Sequence, residues 1–137
     1  MFAALKRESF RVEEVADSYG ISHHHVAKVV NHLAQLGYLE TRRGRGGGIQ
    51  LIRPATEIRI GKLVRETEDQ PVIVECFDAK TNTCPISGSC RLKAALAEAI
   101  GSFYATLDEH TLAEIVSGTA GASMSQVLLP EVRPPSG

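Results

Sequence analysis

Apolar residues in the first third of the chain recur at helical intervals and predict two consecutive helices. The first stripe ends before Gly20 and comprises Val12, Val15, Ala16 and Tyr19. The second stripe ends before Gly37 and comprises Val26, Val29, Val30, Leu33 and Leu36. Ser22 is a favourable N-cap for the second helix, and Gly37 is suited to its C-terminal cap. We therefore predict a helix, a short turn and a second helix over residues 23–36.

The next segment predicts a β-hairpin with a basic, glycine-rich tip. Its sequence is YLETRRGRGGGIQLIRP, in which two short strand-like runs flank the tip at residues 44–48. A helical hairpin alone is common, but a β-hairpin of this kind directly after it is typical of the wing of a winged helix. The sequence thus predicts a mainly α fold with a small β-hairpin wing, in which residues 1–53 form a winged helix-turn-helix.

The pattern beyond the wing predicts further helices. A connecting helix is expected over 58–67, within a linking region 54–71. Its inward residues are Ile60, Leu63 and Val64. After residue 90 an apolar seam recurs at intervals of four, three, four and four residues and comprises Leu92, Leu96, Ala99, Phe103 and Leu107. Because such a seam is typical of a two-helix interface, we predict a long dimerisation helix that packs against a second copy of the chain.

The C-terminal end divides into an ordered and a less ordered part. Thr111 and Glu114 have the spacing of a capping box for a short helix through Val116, so the dimerisation helix and this helix together fill 91–117. From residue 118 to residue 137 Gly, Ser and Pro dominate. A flexible tail is therefore expected there, with local docking of residues 127–129.

The net charge of −1 conceals an asymmetry between the two halves of the chain. Residues 1–65 contain eleven Lys and Arg against six Asp and Glu, a net of +5, whereas residues 66–137 contain four against ten, a net of −6. The basic residues are densest in a run comprising Arg42, Arg43, Arg45, Arg53, Arg59, Lys62 and Arg65. A solvated surface accounts for many charge runs, but a basic patch beside a winged helix is typical of nucleic-acid binding.

The winged-helix prediction assigns DNA-contacting roles to particular residues. The second helix would lie in the major groove, where its start presents Ser22, His23, His24, His25 and Lys28 to bases or phosphates. Arg45 would border the minor groove, and Arg42 and Arg43 would neutralise phosphates. Adjacent histidines on a helix point in different directions, so the three cannot chelate one ion. We therefore expect double-stranded DNA as a partner.

All three cysteines of the chain lie within fifteen residues, in the stretch ECFDAKTNTCPISGSC. They are Cys76, Cys84 and Cys90, and residues 72–90 are predicted to form a cysteine cluster loop. The spacing C-x7-C-x5-C lacks the paired C-x2-C of a zinc ribbon, which disfavours zinc but leaves it open. Iron–sulfur clusters accept wider spacings because their irons are separate attachment points. Three unrelated thiols are the remaining interpretation.

Composition restricts the class of protein. A chain of 137 residues with 43% hydrophobic content is long enough for one modest core. The N-terminus has no basic segment leading into an apolar run, and no stretch approaches the ~20 apolar residues of a membrane helix. We therefore expect a soluble cytoplasmic protein with reduced thiols and no membrane partner. No catalytic constellation is apparent, so we do not expect an enzyme.

Three segments resemble the iron–sulfur winged-helix transcriptional regulators, a family that includes the NsrR, IscR and RirA branches. They are ISHHHVAKVVNHLAQLGYLETRRGRGGGIQL, ECFDAKTNTCPISGSCRLKAAL and LDEHTLAEIV, and the resemblance runs from about Ala3 to Val116. It implies a homodimeric repressor with one iron–sulfur cluster per subunit, 2Fe-2S or 4Fe-4S, held by Cys76, Cys84 and Cys90. Loss or nitrosylation of that cluster would alter operator binding.

The resemblance also separates the branches. IscR-type members carry a histidine three residues after the last cysteine, where this chain has Lys93. The stretch ECFDAKTNTC looks most like the nitric oxide-responsive NsrR branch, while iron-responsive RirA-like regulators share the cysteine spacing. We therefore predict a nitric oxide sensor. The alternatives are an iron-responsive or redox-responsive regulator, a zinc-stabilised DNA-binding protein and an inactive shortened product.

One departure from the resemblance concerns the first helix. NsrR-type proteins have a helix of about five turns before the helix-turn-helix, and an aspartate near its start can supply the fourth cluster ligand across the dimer. Residues 1–5 correspond only to its last turn. The expectation is that the true start lies upstream, or that another group replaces the aspartate. Local candidates for that ligand are Glu75, Asp78 and His110.

Overall fold

The computed structural model describes residues 1–42, 44, 47–68 and 74–129, which form two compact units. The first, here called the winged-helix unit, comprises the described residues of 1–58 and 111–129; the second, the cysteine unit, comprises those of 59–110. The winged-helix unit contains α1 (Phe2–Lys6), α2 (Val12–Tyr19), α3 (His23–Gln35), β1 (Leu39–Arg42), β2 (Gly48–Leu51), α6 (Leu112–Ile115) and α7 (Gly118–Leu128). The cysteine unit contains α4 (Ile60–Thr67) and α5 (Arg91–Asp108). Short 3-10 turns occupy Ala55–Glu57 and Glu75–Phe77.

The helix-turn-helix forms as the sequence pattern predicts. Gly20 ends α2 with φ 64°, and its N–H bonds to carbonyls of the last turn. The Ser22 hydroxyl accepts the N–H of His25 at 3.1 Å and so caps α3. The two helices pack through the buried residues Ala16, Val26 and Val30. These local signals fix where α3 begins, and hence which of its residues are exposed.

The end of α3 is set by Gly37. This glycine has φ 74°, and its N–H bonds to Ala34 O at 3.0 Å while the N–H of Tyr38 bonds to Leu33 O at 2.9 Å. The paired bonds form a Schellman cap. This cap needs a residue in the left-handed conformation, which glycine adopts without strain. The predicted helix over 23–36 therefore ends one residue earlier, at Gln35.

The predicted wing is an antiparallel pair with Leu39 opposite Leu51 and Arg42 opposite Gly48. A third extended segment, absent from the sequence prediction, joins it through Phe10. The N–H of Phe10 bonds to Ile49 O at 2.9 Å, and the N–H of Ile49 bonds to Phe10 O at 2.7 Å. This bridge ties the wing to the chain just before α2, so the wing is held by the helical core.

The core of the winged-helix unit is built around two aromatic rings. Phe2 and Phe10 meet edge to face, with centroids 5.3 Å apart. The buried residues around them are Ala16, Val26, Val30, Leu39, Ile49 and Leu128. The core therefore draws on α1, both helices of the helix-turn-helix, both strands of the wing and the distant helix α7.

The expectation of a flexible tail from residue 118 is wrong for residues 118–128, which form α7. Leu128 is buried in the core, and the Ser18 hydroxyl donates to its carbonyl at 2.8 Å. Gly121 is also buried, and a Cβ there would overlap the carbonyl oxygen of Val116. The small residues that suggested disorder thus permit a close approach between α6 and α7. Residues 130–137 lie outside the described part of the chain.

The capping box predicted for the short helix is confirmed. Thr111 Oγ1 accepts the N–H of Glu114 at 3.2 Å, and Glu114 Oε2 accepts the N–H of Thr111 at 2.7 Å. The N–H of Leu112 bonds to Ile58 O at 2.8 Å, which returns the chain to the winged-helix unit. α6 is thereby fixed at its start by both local and long-range hydrogen bonds.

In the cysteine unit α4 packs against α5. The connecting helix begins at Ile60 rather than at residue 58, and the N–H of Ile60 bonds to His110 O at 3.0 Å. Gly61 is buried at the contact, where a Cβ would overlap the side chain of Asp108 and lie 2.8 Å from Tyr104 O. The absence of a side chain at Gly61 is therefore what lets the two helices approach.

Glu14 provides a prediction for the pH dependence of stability. Burial acts to raise its pKa, but the hydrogen bond from Lys6 and the backbone N–H of Arg11, at 2.6 Å, hold the pKa below its usual value. Because the folded state then binds fewer protons than the unfolded state, the stabilisation is present above the unfolded pKa of about 4.3 and is lost as pH falls through the folded value.

We therefore expect Glu14→Gln to lower the melting temperature at pH 7, and the difference from wild type to vanish in acid. The melting temperatures are measured by circular dichroism from about pH 3 to about pH 7, an interval that includes the titration of a carboxyl group. Glu13→Gln is the matched control, because Glu13 lies in the same first turn and has no ion pair among the described residues. Equal effects of both substitutions at pH 7 would show that only the helix dipole is involved.

Candidate functional site

The start of α3 presents polar residues to solvent. All five predicted contact residues there are exposed: Ser22, His23, His24, His25 and Lys28. The opposite side of the helix carries Val26 and Val30, which are buried in the core. Because the buried side is fixed, the exposed side points away from the winged-helix unit, as a recognition helix requires.

The three histidines do not share one direction. His23 Nε2 lies 3.4 Å from Asp17 Oδ1, so this ring faces α2. His24 and Lys28 are four residues apart and lie on one face of α3, together with the exposed Asn31. His24, His25 and Lys28 therefore have the freer access to a groove, while His23 is also held by the carboxylate of Asp17.

The wing contributes a further cation. Arg42 is exposed and its Nη2 donates to Glu40 Oε2 at 3.0 Å, while Gln50 Nε2 donates to the same oxygen at 3.3 Å. The hydrogen bonds from Arg42 and Gln50 hold the pKa of Glu40 below its usual value. Arg42 can turn from this surface pair to a phosphate at little cost, since exposed pairs contribute little. The predicted contacts Arg43 and Arg45 lie outside the described residues.

Three residues of the basic run that the sequence suggested bond to other groups of the chain. Arg53 donates to Leu36 O at 3.2 Å and stacks 4.6 Å from the ring of buried Tyr38, so it supports the end of α3. In the cysteine unit Arg59 donates to Asp108 O at 3.3 Å, and Arg65 donates to Asp108 Oδ2 at 2.5 Å. These three guanidinium groups thus have partners within the fold, and each stabilises the unit in which it lies.

The three cysteines are free thiols in the cysteine unit, and each is half-buried. Cys76 lies on the 3-10 turn, Cys84 lies in the loop between that turn and α5, and Cys90 is the N-cap of α5. The Sγ atom of Cys90 accepts the N–H of Lys93 at 3.4 Å. Cys90 therefore caps the first turn of α5 with its sulfur atom.

Side chains in the loop itself bond to its backbone. Asp78 Oδ1 accepts the N–H of Lys80 at 2.9 Å, and Asn82 Oδ1 accepts the N–H of Cys84 at 3.0 Å. Thr83 Oγ1 donates to both carboxylate oxygens of Glu75, at 3.2 and 3.3 Å. The sequence analysis did not predict these bonds, although Asp and Asn two residues before their partners are typical of Asx turns.

The donor set fits an iron–sulfur cluster in kind. Within residues 1–42, 44, 47–68 and 74–129, no three His, Cys, Asp or Glu are grouped to hold a single metal ion, the three histidines of α3 included. A cluster has a different requirement, because its thiolates attach to separate irons. The loop supplies three unpaired thiols, one of them at a helix N-terminus, and these are the kind of ligand that binds the separate irons of a cluster. In the same part of the chain, no helix is both long and apolar enough to cross a membrane.

Comparison with known proteins assigns the chain to a family. Residues 1–118 match the Rrf2 family, described as "Iron-dependent Transcriptional regulator". The transcriptional regulator NsrR of Bacillus subtilis is 48% identical over 118 residues, which span 85% of this chain and 81% of that protein. NsrR of Geobacillus kaustophilus is 44% identical over 115 residues, which span 84% of this chain and 78% of that protein.

Solved structures agree with the fold. IscR of T. potens superposes with a TM-score of 0.65 at 19% identity, over 84% of this chain and 76% of that chain. CymR of Staphylococcus aureus superposes with a TM-score of 0.60 at 23% identity, over 80% of this chain and 82% of that chain. The fold and the relatives together define a DNA-binding transcriptional regulator with a winged helix, not an enzyme. The chain belongs to the Rrf2 family.

Proposed function

We propose that the protein is a cytoplasmic repressor that binds its operator as a homodimer and senses nitric oxide through an iron–sulfur cluster held by Cys76, Cys84 and Cys90. The observation that carries the proposal is the set of three free, half-buried thiols in one hydrogen-bonded loop that ends at the N-cap of α5. The 48% identity to a protein named NsrR supports nitric oxide as the signal.

The DNA interface combines the start of α3 with the wing. Ser22, His23, His24, His25 and Lys28 would enter the major groove. The wing would follow the backbone with Arg42 and Arg43 on phosphates and Arg45 at the minor groove. Exposure of the α3 residues and of Arg42 supports this assignment. Because Arg53, Arg59 and Arg65 have structural partners, we leave them out of the interface.

The dimer would form along α5, within the predicted 91–117 segment. No residue of this helix is buried in the single chain, and Leu92 and Phe103 are 66% and 55% exposed. A partner helix would cover these two large apolar side chains, which lie eleven residues apart on α5. A second copy of the chain supplies the same stripe, and two copies of α3 could then contact two half-sites.

The cysteine loop would control the DNA-binding state through the start of α5. When bound, a cluster, 2Fe-2S or 4Fe-4S, supplies iron that reacts with nitric oxide. The part played by the chain is to hold three thiolates, with Cys90 joined to both the loop and the first turn of α5. Release of the Cys90 thiolate from the cluster would remove a restraint on the residue that caps α5. The dimer would then shift between its DNA-binding state and its non-binding state.

A second candidate signal is iron supply, because the matched family is described as iron-dependent. The two signals differ in the stimulus that removes the cluster. If operator binding falls when an iron chelator is added but is unaffected by nitric oxide, the iron-responsive function replaces the one proposed. A protein that binds zinc and remains colourless would favour the zinc-stabilised alternative.

Lys28 offers a direct test of the DNA interface. We expect Lys28→Ala to weaken binding about tenfold and to reduce the salt dependence of binding by about one counterion, because one phosphate or base contact is lost. Binding is measured by fluorescence anisotropy over a range of salt concentrations. The DNA is a duplex that the wild-type protein selects from a random-sequence pool.

Lys62→Ala is the matched control, since Lys62 is also an exposed lysine but lies on α4 and pairs with Glu66 at 3.8 Å. It removes the same charge and should leave affinity near wild type. If both variants lose affinity equally, only the total charge matters, and α3 is not the recognition helix.

A further inference from the structure

We propose that Glu75 and Thr83 form a brace that holds the segments of Cys76 and Cys84 together, so that both are positioning residues for the cysteine site. The inference rests on the proposed cluster site and deepens it. It gives Glu75 a role other than that of a fourth cluster ligand.

The brace joins two segments of the loop that are separated by backbone turns. The Thr83 hydroxyl donates to the Glu75 carboxylate across eight positions of sequence, at 3.2 Å to Oε1 and 3.3 Å to Oε2. Glu75 directly precedes Cys76, and Thr83 directly precedes Cys84. Because consecutive Cα atoms lie about 3.8 Å apart, a bond between these two side chains acts one residue away from both thiols.

The other side-chain hydrogen bonds of the loop stabilise its turns and do not join the segment of Cys76 to that of Cys84. Asp78 bonds to Lys80 and Thr81, within its own turn. Asn82 accepts the N–H of Cys84 and donates to Ser87 at 2.9 Å, on the far side of the loop. Among the described residues, the Glu75 to Thr83 contact is the one side-chain hydrogen bond that joins 74–77 to 79–90.

The chemistry of the contact suits a brace. Both oxygens of Glu75 lie within reach of the same hydroxyl, and a hydrogen bond to a charged acceptor is stronger than one between neutral groups. Ordering a loop before its ligand binds removes part of the entropy cost of binding. Loss of the brace should therefore leave the ligands unchanged in number but speed the departure of the cluster.

The test compares Glu75→Ala and Thr83→Val with two controls in the full chain. Thr83→Ser keeps the hydroxyl, and Glu98→Ala removes an exposed carboxylate from α5. Each protein is loaded with iron and sulfide without oxygen, and bleaching of its visible absorption is timed in excess EDTA. In metal-free reduced protein, the alkylation rate of each cysteine by iodoacetamide is measured by mass spectrometry, with Cys90 as the internal reference.

We expect Glu75→Ala and Thr83→Val each to bleach about fivefold faster, as loss of one exposed hydrogen bond to a carboxylate predicts. Alkylation of Cys76 and Cys84 should speed up relative to Cys90. The double variant should be no faster than either single variant, because both remove the same contact. Thr83→Ser and Glu98→Ala should match wild type.

Two results would overturn the brace. One is wild-type bleaching and alkylation in both Glu75→Ala and Thr83→Val. The other is an altered visible spectrum in Glu75→Ala alone, which would make Glu75 a ligand. If wild-type protein takes up no iron or sulfide, the proposed function fails, and the alkylation rates of metal-free protein still decide whether the brace exists.

Discussion

Replacing any one of Cys76, Cys84 and Cys90 with Ala will abolish the intact cluster and leave the winged-helix unit folded. The cysteines lie in the unit formed by 59–110, and none of them is in the core that surrounds Phe2 and Phe10. Two thiolates cannot replace three, so the visible absorption should disappear together with bound iron and sulfide. The measurement is iron and sulfide content and the visible spectrum, with circular dichroism to confirm the fold.

Position 90 allows a finer comparison, because Cys90 also caps α5. Ser at this N-cap position should stabilise α5 by about 1 kcal/mol relative to Ala, because Ser is a favoured N-cap residue and Ala is not. Both Cys90→Ser and Cys90→Ala should lose the cluster, but only Cys90→Ala should fray the start of α5. Ser89→Ala is the control next to it and should retain the full spectrum. A full spectrum in any of the cysteine variants would show that its thiol is not a ligand.

Gly61→Ala is expected to destabilise the cysteine unit by about 2 to 3 kcal/mol, the upper part of the range for overpacking. The added methyl group would overlap the side chain of Asp108 and approach Tyr104 O, so α4 and α5 must separate. Separation also strains the bonds of Arg59 and Arg65 to the end of α5. Hydrogen exchange resolved along the chain should show faster exchange in 60–67 and 91–108.

Gly101→Ala is the matched control within the same unit. Gly101 lies inside α5, and a Cβ there meets nothing within 4 Å in the single chain. Because Ala favours a helix over Gly by about 0.5 to 1 kcal/mol, this substitution should slow exchange or leave it unchanged. If Gly61→Ala exchanges like wild type, the packing of α4 on α5 is not as close as the structure indicates.

Local signals in the sequence predict much of the winged-helix unit. The Ser22 cap, the Schellman glycine Gly37 and the capping box of Thr111 and Glu114 involve neighbours in sequence, and all three form. The wing is likewise predicted, because its two strands are joined by a short glycine-rich tip. Such features depend on residues a few positions apart, which a single sequence displays directly.

Long-range partners account for what the sequence could not predict. Phe10 pairs with Ile49 of the wing, 39 positions later in the sequence. Leu128 is buried in the core, although it lies in a segment whose Gly, Ser and Pro content suggested a flexible tail. The sequence placed Arg53, Arg59 and Arg65 in one basic run, because it shows the charges but not the groups to which these side chains bond. The cysteines were recognisable from their clustering, but the contact of Glu75 with Thr83 depends on how the loop folds.

The most direct test of the account is a titration of anaerobically purified protein with nitric oxide, in which visible absorption and operator binding are followed in the same sample. The account predicts a brown protein with iron and sulfide that binds the operator, then bleaches and releases the DNA together at a few nitric oxide molecules per cluster. A protein that bleaches fully while its operator affinity stays constant would contradict it.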